Sequence, residues 1–243
     1  MDNTGLAFEA AEALSQRNGL SAVTRTIGGI KITDVRVDEQ TSRRIGKRAG
    51  RYITLEGEPS SQGMTALFRR ALLQVIPQRG QLFAAGLGNP DITQDSLGAC
   101  AVRVMTARHG KRYALAAIET DVAVKTGLDT ARLVKAAARE LKANCVIAVD
   151  ALACRDPRYI GRTVQISDSG IIPGGGTDTA RTELSRERLG VPIAAVGVPT
   201  VTALSSVTGR KDDNSFLITT TDIDAIVKMW AEVIGTGISS LAE

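Results

Sequence analysis

The chain has little of the side-chain chemistry from which most enzymes build a site. It holds one histidine, three cysteines and one tryptophan, and only 3% of its residues are aromatic. A lone histidine, His109, excludes HExxH metal sites and multi-histidine centres. It sits in the basic stretch Ala107-Arg108-His109-Gly110-Lys111, which reads as a solvated helix end rather than as part of a serine–histidine–aspartate triad. Cys100, Cys145 and Cys154 are odd in number and lack CxxC spacing, so neither a disulfide framework nor a zinc–thiolate site is expected. Cys145 lies in an apolar run and reads as a core residue; Cys154 is the one cysteine to check for reactivity, with an inert thiol the favoured reading. Thirty basic residues against 26 acidic ones leave a net charge of +4. That excess is too mild, and the aromatics too few, for a dedicated nucleic-acid protein. No apolar run reaches the ~20 residues that a membrane helix needs. The N-terminus, MDNTGLAFEA, has no basic region followed by an apolar core, so no secretory signal is read there. A cytoplasmic protein is the expectation.

What is present is an ordinary globular composition, 43% hydrophobic and 23% charged over 243 residues. A chain of that length buries a full core without staples. A single domain is expected, with an N-terminal helix and β-hairpin subregion over 1–60 and an α/β core over 81–243. Apolar spacing predicts a short helix over 3–17, strands over 27–37 and 51–56, and an amphipathic helix over 62–76. The polar stretch 39–50 reads as an exposed loop or hairpin. From residue 81 strands and helices alternate. Strands are expected over 81–88, 113–119, 143–152, 163–167 and 191–200, and helices over 96–108, 129–142 and 221–241. The strands are continuously apolar, which means burial on both faces. The fold class is therefore α/β: a central mostly parallel or mixed sheet flanked by helices, with a small N-terminal β extension.

In such sheets ligands bind beyond the carboxyl ends of the strands. Three ends carry polar or glycine-rich residues: Gly86-Leu87-Gly88-Asn89 followed by Asp95, then Asp150 to Arg155, and Ser167-Asp168-Ser169-Gly170 followed by Pro173-Gly174-Gly175-Gly176. Asp150 is the most informative residue. It follows Cys145-Val146-Ile147-Ala148-Val149 with no polar spacer, which puts a carboxyl at the rim of a dry core where desolvation raises its pKa. A second carboxyl nearby would push the two pKa values apart and divide acid from base. Asp95 is the natural partner, but it also suits a helix N-cap, and Asp150 also suits a structural carboxylate bonded to loop N–H groups. Gly86-Leu87-Gly88 reads as a tight turn or, less specifically, as part of a phosphate cradle. The Gly86–Asn89 N–H groups and Asn89 are candidates for holding a substrate or an oxyanion. Arg43, Arg44, Lys47 and Arg48 read as a solvated loop or as a docking patch.

Several segments taken in order resemble the germination protease (spore protease) family of endospore-forming bacteria. They are Gly86-Leu87-Gly88-Asn89, Asp95-Ser96-Leu97-Gly98, the run Val146 to Ala153, the run Val164 to Ile171 with Pro173-Gly174, and Ala195 to Val201. Weaker matches lie over 28–32, 50–56 and 216–242. The resemblance implies an aspartic-type endopeptidase that degrades small acid-soluble spore proteins during germination, with Asp95 and Asp150 as the catalytic pair. Gly88, Asn89, Ser167 and Asp168 are the expected substrate-binding residues. It further implies a hydrogenase-maturation-protease-like fold, a homotetramer, and a place in the forespore or spore core. No metal or organic cofactor is implied, and no nucleic-acid or membrane partner.

The sequence departs from the family where its propeptide and T-D-L-A segment would lie: Thr4-Gly5-Leu6-Ala7 follows Met1 closely. The segment before the last helix is shorter, and Thr120-Asp121-Val122-Ala123-Val124 replaces P-G-V-M-G. A non-catalytic relative that binds a sporulation protein is therefore a second reading. A peptidyl-tRNA hydrolase-like enzyme, suggested by Gly86-Leu87-Gly88-Asn89-Pro90 and Thr106-Ala107-Arg108-His109, is a remote third.

Overall fold

The computed structural model describes residues 4–10, 22–172 and 183–243. Pro173-Gly174-Gly175-Gly176 lies outside them, as does most of the helix expected over 3–17, of which residues 7–10 are helical. The described strands form one mixed sheet in the order β1-β2-β3-β8-β9-β7-β4-β6-β5, with β10 (Leu217–Ile218) paired to β9. Its centre is parallel: β6 (Tyr113–Glu119), β4 (Gly80–Gly86), β7 (Cys145–Cys154) and β9 (Ile193–Ala203). On the β9 side the sheet continues antiparallel through β8 (Thr163–Ser167), β3 (Gly50–Glu56), β2 (Ile30–Val37) and β1 (Ala22–Ile27). β5 (Arg108–His109) closes the other edge.

Helices cover both faces, which gives the chain its α/β class. One face packs Cys145, Ile147 and Val149 of β7 with Phe68 of α2 (Met64–Leu72), Leu97 and Ala101 of α3 (Leu97–Val104), and Trp230 of α5 (Ile223–Ser239). α5 is apolar nearly all round because it is wedged between α2 and α3. The Trp230 indole N–H, with no water to meet, donates to the Gly161 carbonyl at 2.7 Å. The other face packs Val146 and Ala148 with Phe83 and with Val134 and Ala138 of α4 (Thr130–Glu140). With both faces dry, β7 needs no polar alternation until Asp150.

Four expectations are corrected. The strand expected over 27–37 is instead a hairpin: Gly28 and Gly29 take φ of 58° and 80°, the left-handed pair that a two-residue hairpin turn requires. The stretch 39–50 contains α1 (Glu39–Ile45), capped where the Asp38 carboxylate accepts the Thr41 N–H at 2.7 Å. α1 buries only Thr41, so it has no apolar stripe to read. The helix expected over 96–108 ends at Val104, and His109 lies exposed in edge strand β5 rather than at a helix end. Finally, the strand expected over 143–152 is β7, Cys145–Cys154, and runs on two residues past its expected end. Asp150 is thus a strand residue, held by pairing to β9.

Candidate active site

The loop after β4 is fastened to β7 where the apolar run ends. The Leu87 N–H donates to the Val149 carbonyl at 2.8 Å, extending the parallel ladder one step beyond Gly86. The chain then turns at Gly88 with φ of 99°. A Cβ there would overlap the Asp95 carbonyl oxygen, so only glycine allows the return of the chain. That return is a single 3₁₀ turn, Thr93–Asp95, packed against β7 and β9. The Thr200 hydroxyl pins it by donating to the Gln94 carbonyl at 2.6 Å. The Asp95 carboxylate accepts the Asn89 N–H at 2.7 Å. Asp95 is therefore no N-cap: α3 begins after Ser96, and its cap makes no side-chain hydrogen bond.

Asp150 is 1% exposed. Its face of the sheet follows from register. Gly197 of β9 stands opposite both Asp150 and Gln165, and Ala195 opposite Ser167. Asp150, Gln165, Ser167, Ala195 and Gly197 thus share one face, while Val149, Ile166 and Val196 belong to the core on the other. Gln165, Ser167, Ala195 and Gly197 of that face floor a cavity of about 450 Å³, whereas Asp150 is not among the residues that line it. Asp95, Gln94 and Thr200 line it on one side, and Ala151, Leu152 and Ala153, the residues directly after Asp150, line it as well. The Ala151 N–H donates to the Asp150 carboxylate at 3.0 Å. The walls are largely apolar, with Ile92, Ile172 and Leu217 exposed around the space.

The four expected substrate-binding residues fall in different places. Ser167 lines the cavity, its hydroxyl 2.6 Å from that of Ser169. Gly88 shapes the turn behind Asp95. The Asn89 N–H is already engaged by the Asp95 carboxylate, while its side-chain oxygen accepts the Asp91 N–H at 3.0 Å. Asp168 is exposed outside the lining, its carboxylate accepting the Arg51 N–H at 2.7 Å.

Other cavity residues are not among the expected site residues, and Lys47 reads in the sequence only as part of a solvated loop or a docking patch. Gln165 clasps the N-terminal segment, accepting from the Ala7 N–H at 2.7 Å and donating to the Gly5 carbonyl at 3.1 Å. Gly5 also donates to the Ala153 carbonyl at 2.6 Å. Lys47 lines the same end and donates to the Thr4 carbonyl. Burial pushes its ammonium down to about 8, against the opposing pull of Glu9. Cys154 drops out as a nucleophile, since burial, with Glu9 and Asp156 adding to it, pushes its thiol up to about 12.

The germination protease family matches residues 5–219. The germination proteases of Bacillus cytotoxicus, Bacillus cereus and Bacillus mycoides are each 36% identical to the chain over 241 residues, covering 86% of it and 65% of their own length. The chain thus spans about 65% of the length of the curated relatives it matches. A NiFe hydrogenase maturation protease from Thermococcus kodakarensis superposes on 69% of the chain and 98% of its own, with a TM-score of 0.41 and 18% identity.

Proposed function

The chain belongs to the germination protease family, and from that premise we propose that it is an endopeptidase of small acid-soluble spore proteins, with Asp95 and Asp150 as an aspartate pair that activates water. The observation that supports this reading is the fastening of the loop after β4 to Val149, next to Asp150, with Asp95 and Ala151, the residue after Asp150, both lining one apolar cavity. In this reading the two carboxyls share a proton. One takes a proton from the water that attacks the peptide carbonyl carbon. The other, protonated, donates to the carbonyl oxygen. When the tetrahedral intermediate collapses, the C–N bond breaks and a proton returns to the leaving amine.

The apolar walls suit an extended peptide, and the Gln165 amide, which holds the backbone of Gly5 and Ala7, has the donor and acceptor that such a peptide would meet. In this reading Ser167 touches the substrate, whereas Gly88 and Asn89 hold Asp95 in place. Asp168 acts from outside, by ordering the strand that carries Arg51. The working form is a homo-oligomer in the spore core. The test is incubation of the purified chain with small acid-soluble spore proteins, followed by mass spectrometry of the products. Discrete fragments, lost in both Asp95→Asn and Asp150→Asn, are the expected result. Intact substrate with the unaltered chain, or unchanged cleavage by both variants, overturns the reading.

A further inference from the structure

The loop that carries Asp95 has a second support, which comes from the strand on the far side of β4. After β6 the chain makes one helical turn, Ala123–Thr126. Its apolar residues do not anchor it: Val124 is 91% exposed, and the adjacent Leu128 is exposed too. Polar links hold it instead. At its base the Thr120 hydroxyl and N–H both donate to the Gly86 carbonyl, at 2.8 and 2.9 Å. At its tip the Lys125 ammonium lies 2.7 Å from an Asp121 carboxylate oxygen, 2.7 Å from one of Asp91, and 3.5 Å from the Asn89 side-chain oxygen. One cation thus ties its own turn to two residues of the loop after β4. Those two flank Pro90, and the N–H of the first is the donor to the Asp95 carboxylate.

We propose that Lys125 is a positioning residue for Asp95: by drawing Asn89 and Asp91 toward Asp121 it fixes the backbone from which the Asn89 N–H reaches the carboxylate. Hydrogen bonds to Asp121 and Asp91 raise the ammonium's pKa above the ordinary lysine value, so the clamp stays charged at neutral pH. The side chains involved are exposed enough that the ion pairs add little to stability. Their effect is geometric. A small misplacement of a reacting group costs far more in rate than such a pair is worth in stability.

This inference rests on the catalytic reading of Asp95, so its test has one readout that is independent of catalysis. Lys125→Gln and Lys125→Arg are compared with the unaltered chain in steady-state cleavage of a small acid-soluble spore protein, in melting temperature, and in amide hydrogen exchange at Asn89. For Lys125→Gln the expected result is a kcat lower by roughly tenfold to a hundredfold, with KM and melting temperature little changed and faster Asn89 exchange. Lys125→Arg, which keeps the charge and the donors, recovers most of the rate and the protection. Wild-type kcat together with unchanged Asn89 protection in Lys125→Gln overturns the proposal. Faster Asn89 exchange in Lys125→Gln, beside an Asp95→Asn variant of full activity, supports the positioning of the loop and overturns only the catalytic role of Asp95.

Discussion

Lys47 shows what a single residue owes to its surroundings. In the sequence it is one of four cations in a polar stretch, with nothing to separate it from Arg43 or Arg44. In the fold it faces the cavity, within reach of the Thr4 carbonyl and the charge of Glu9. Burial lowers its pKa from 10.5 to about 8, so over that interval the unfolded chain holds the proton and the folded chain does not. Stability from Lys47 therefore rises with pH from 8 toward 10.5, and is lost as pH falls through 8. Urea unfolding of the unaltered chain and of Lys47→Met, at about pH 7 and about pH 9, checks this. The difference between the two proteins is expected to shift with pH in favour of the unaltered chain; an equal difference at both pH values contradicts the assignment. Asp150, by contrast, stands out in the sequence as an acidic residue directly after five apolar ones, and the fold buries it. Its structural alternative, a carboxylate bonded to loop N–H groups, has the same sequence pattern. Asp95 stayed ambiguous because an aspartate before a helix is as good a cap as it is an acid. The helix begins after Ser96, which removes the cap, while the acid role belongs to the proposed reading.

Among elements, the apolar ones were readable and the polar ones were not. α2, α4 and α5 bury stripes, and β7 buries both faces, so each left a periodic trace. α1 and the Ala123–Thr126 turn bury almost nothing, and their stability comes from caps and clamps that leave no trace at helical spacing. The N-terminal segment is a further case. Residues 7–10 form a short helical stretch, but long-range contacts anchor it. Glu9, 5% exposed, accepts the Arg155 N–H at 3.0 Å, the Asp156 N–H at 2.7 Å, and the Thr4 hydroxyl. Those partners lie 146 and 147 positions away, or five, and none of this shows as a local pattern. Glu9→Ala leaves two backbone donors without their acceptor and is expected to cost roughly 2–4 kcal/mol, read as a lower urea midpoint with an unchanged slope. A midpoint within error of the unaltered chain would show that Glu9 does not hold the segment.

At the scale of the whole molecule, the sheet explains why two acidic residues 55 positions apart can form one site. β4 and β7 are neighbours in the parallel centre, so the loop after β4 emerges beside the far half of β7. The antiparallel flank β9-β8 then supplies the cavity floor through Gly197, Gln165 and Ser167. Alternating strands and helices made the parallel centre legible. The long reach of the sheet through β3, β2 and β1 was not, because a hairpin followed by a polar helix gives no sign of where it docks. The central claim is that Asp95 and Asp150 act as a unit, and a double-variant cycle on cleavage of a small acid-soluble spore protein tests it most directly. If the pair shares one proton and one water, Asp95→Asn and Asp150→Asn each lower kcat by roughly a thousandfold or more, and the double variant is no slower than either alone. Losses that multiply in the double variant, or a single variant that keeps the full rate, would contradict it.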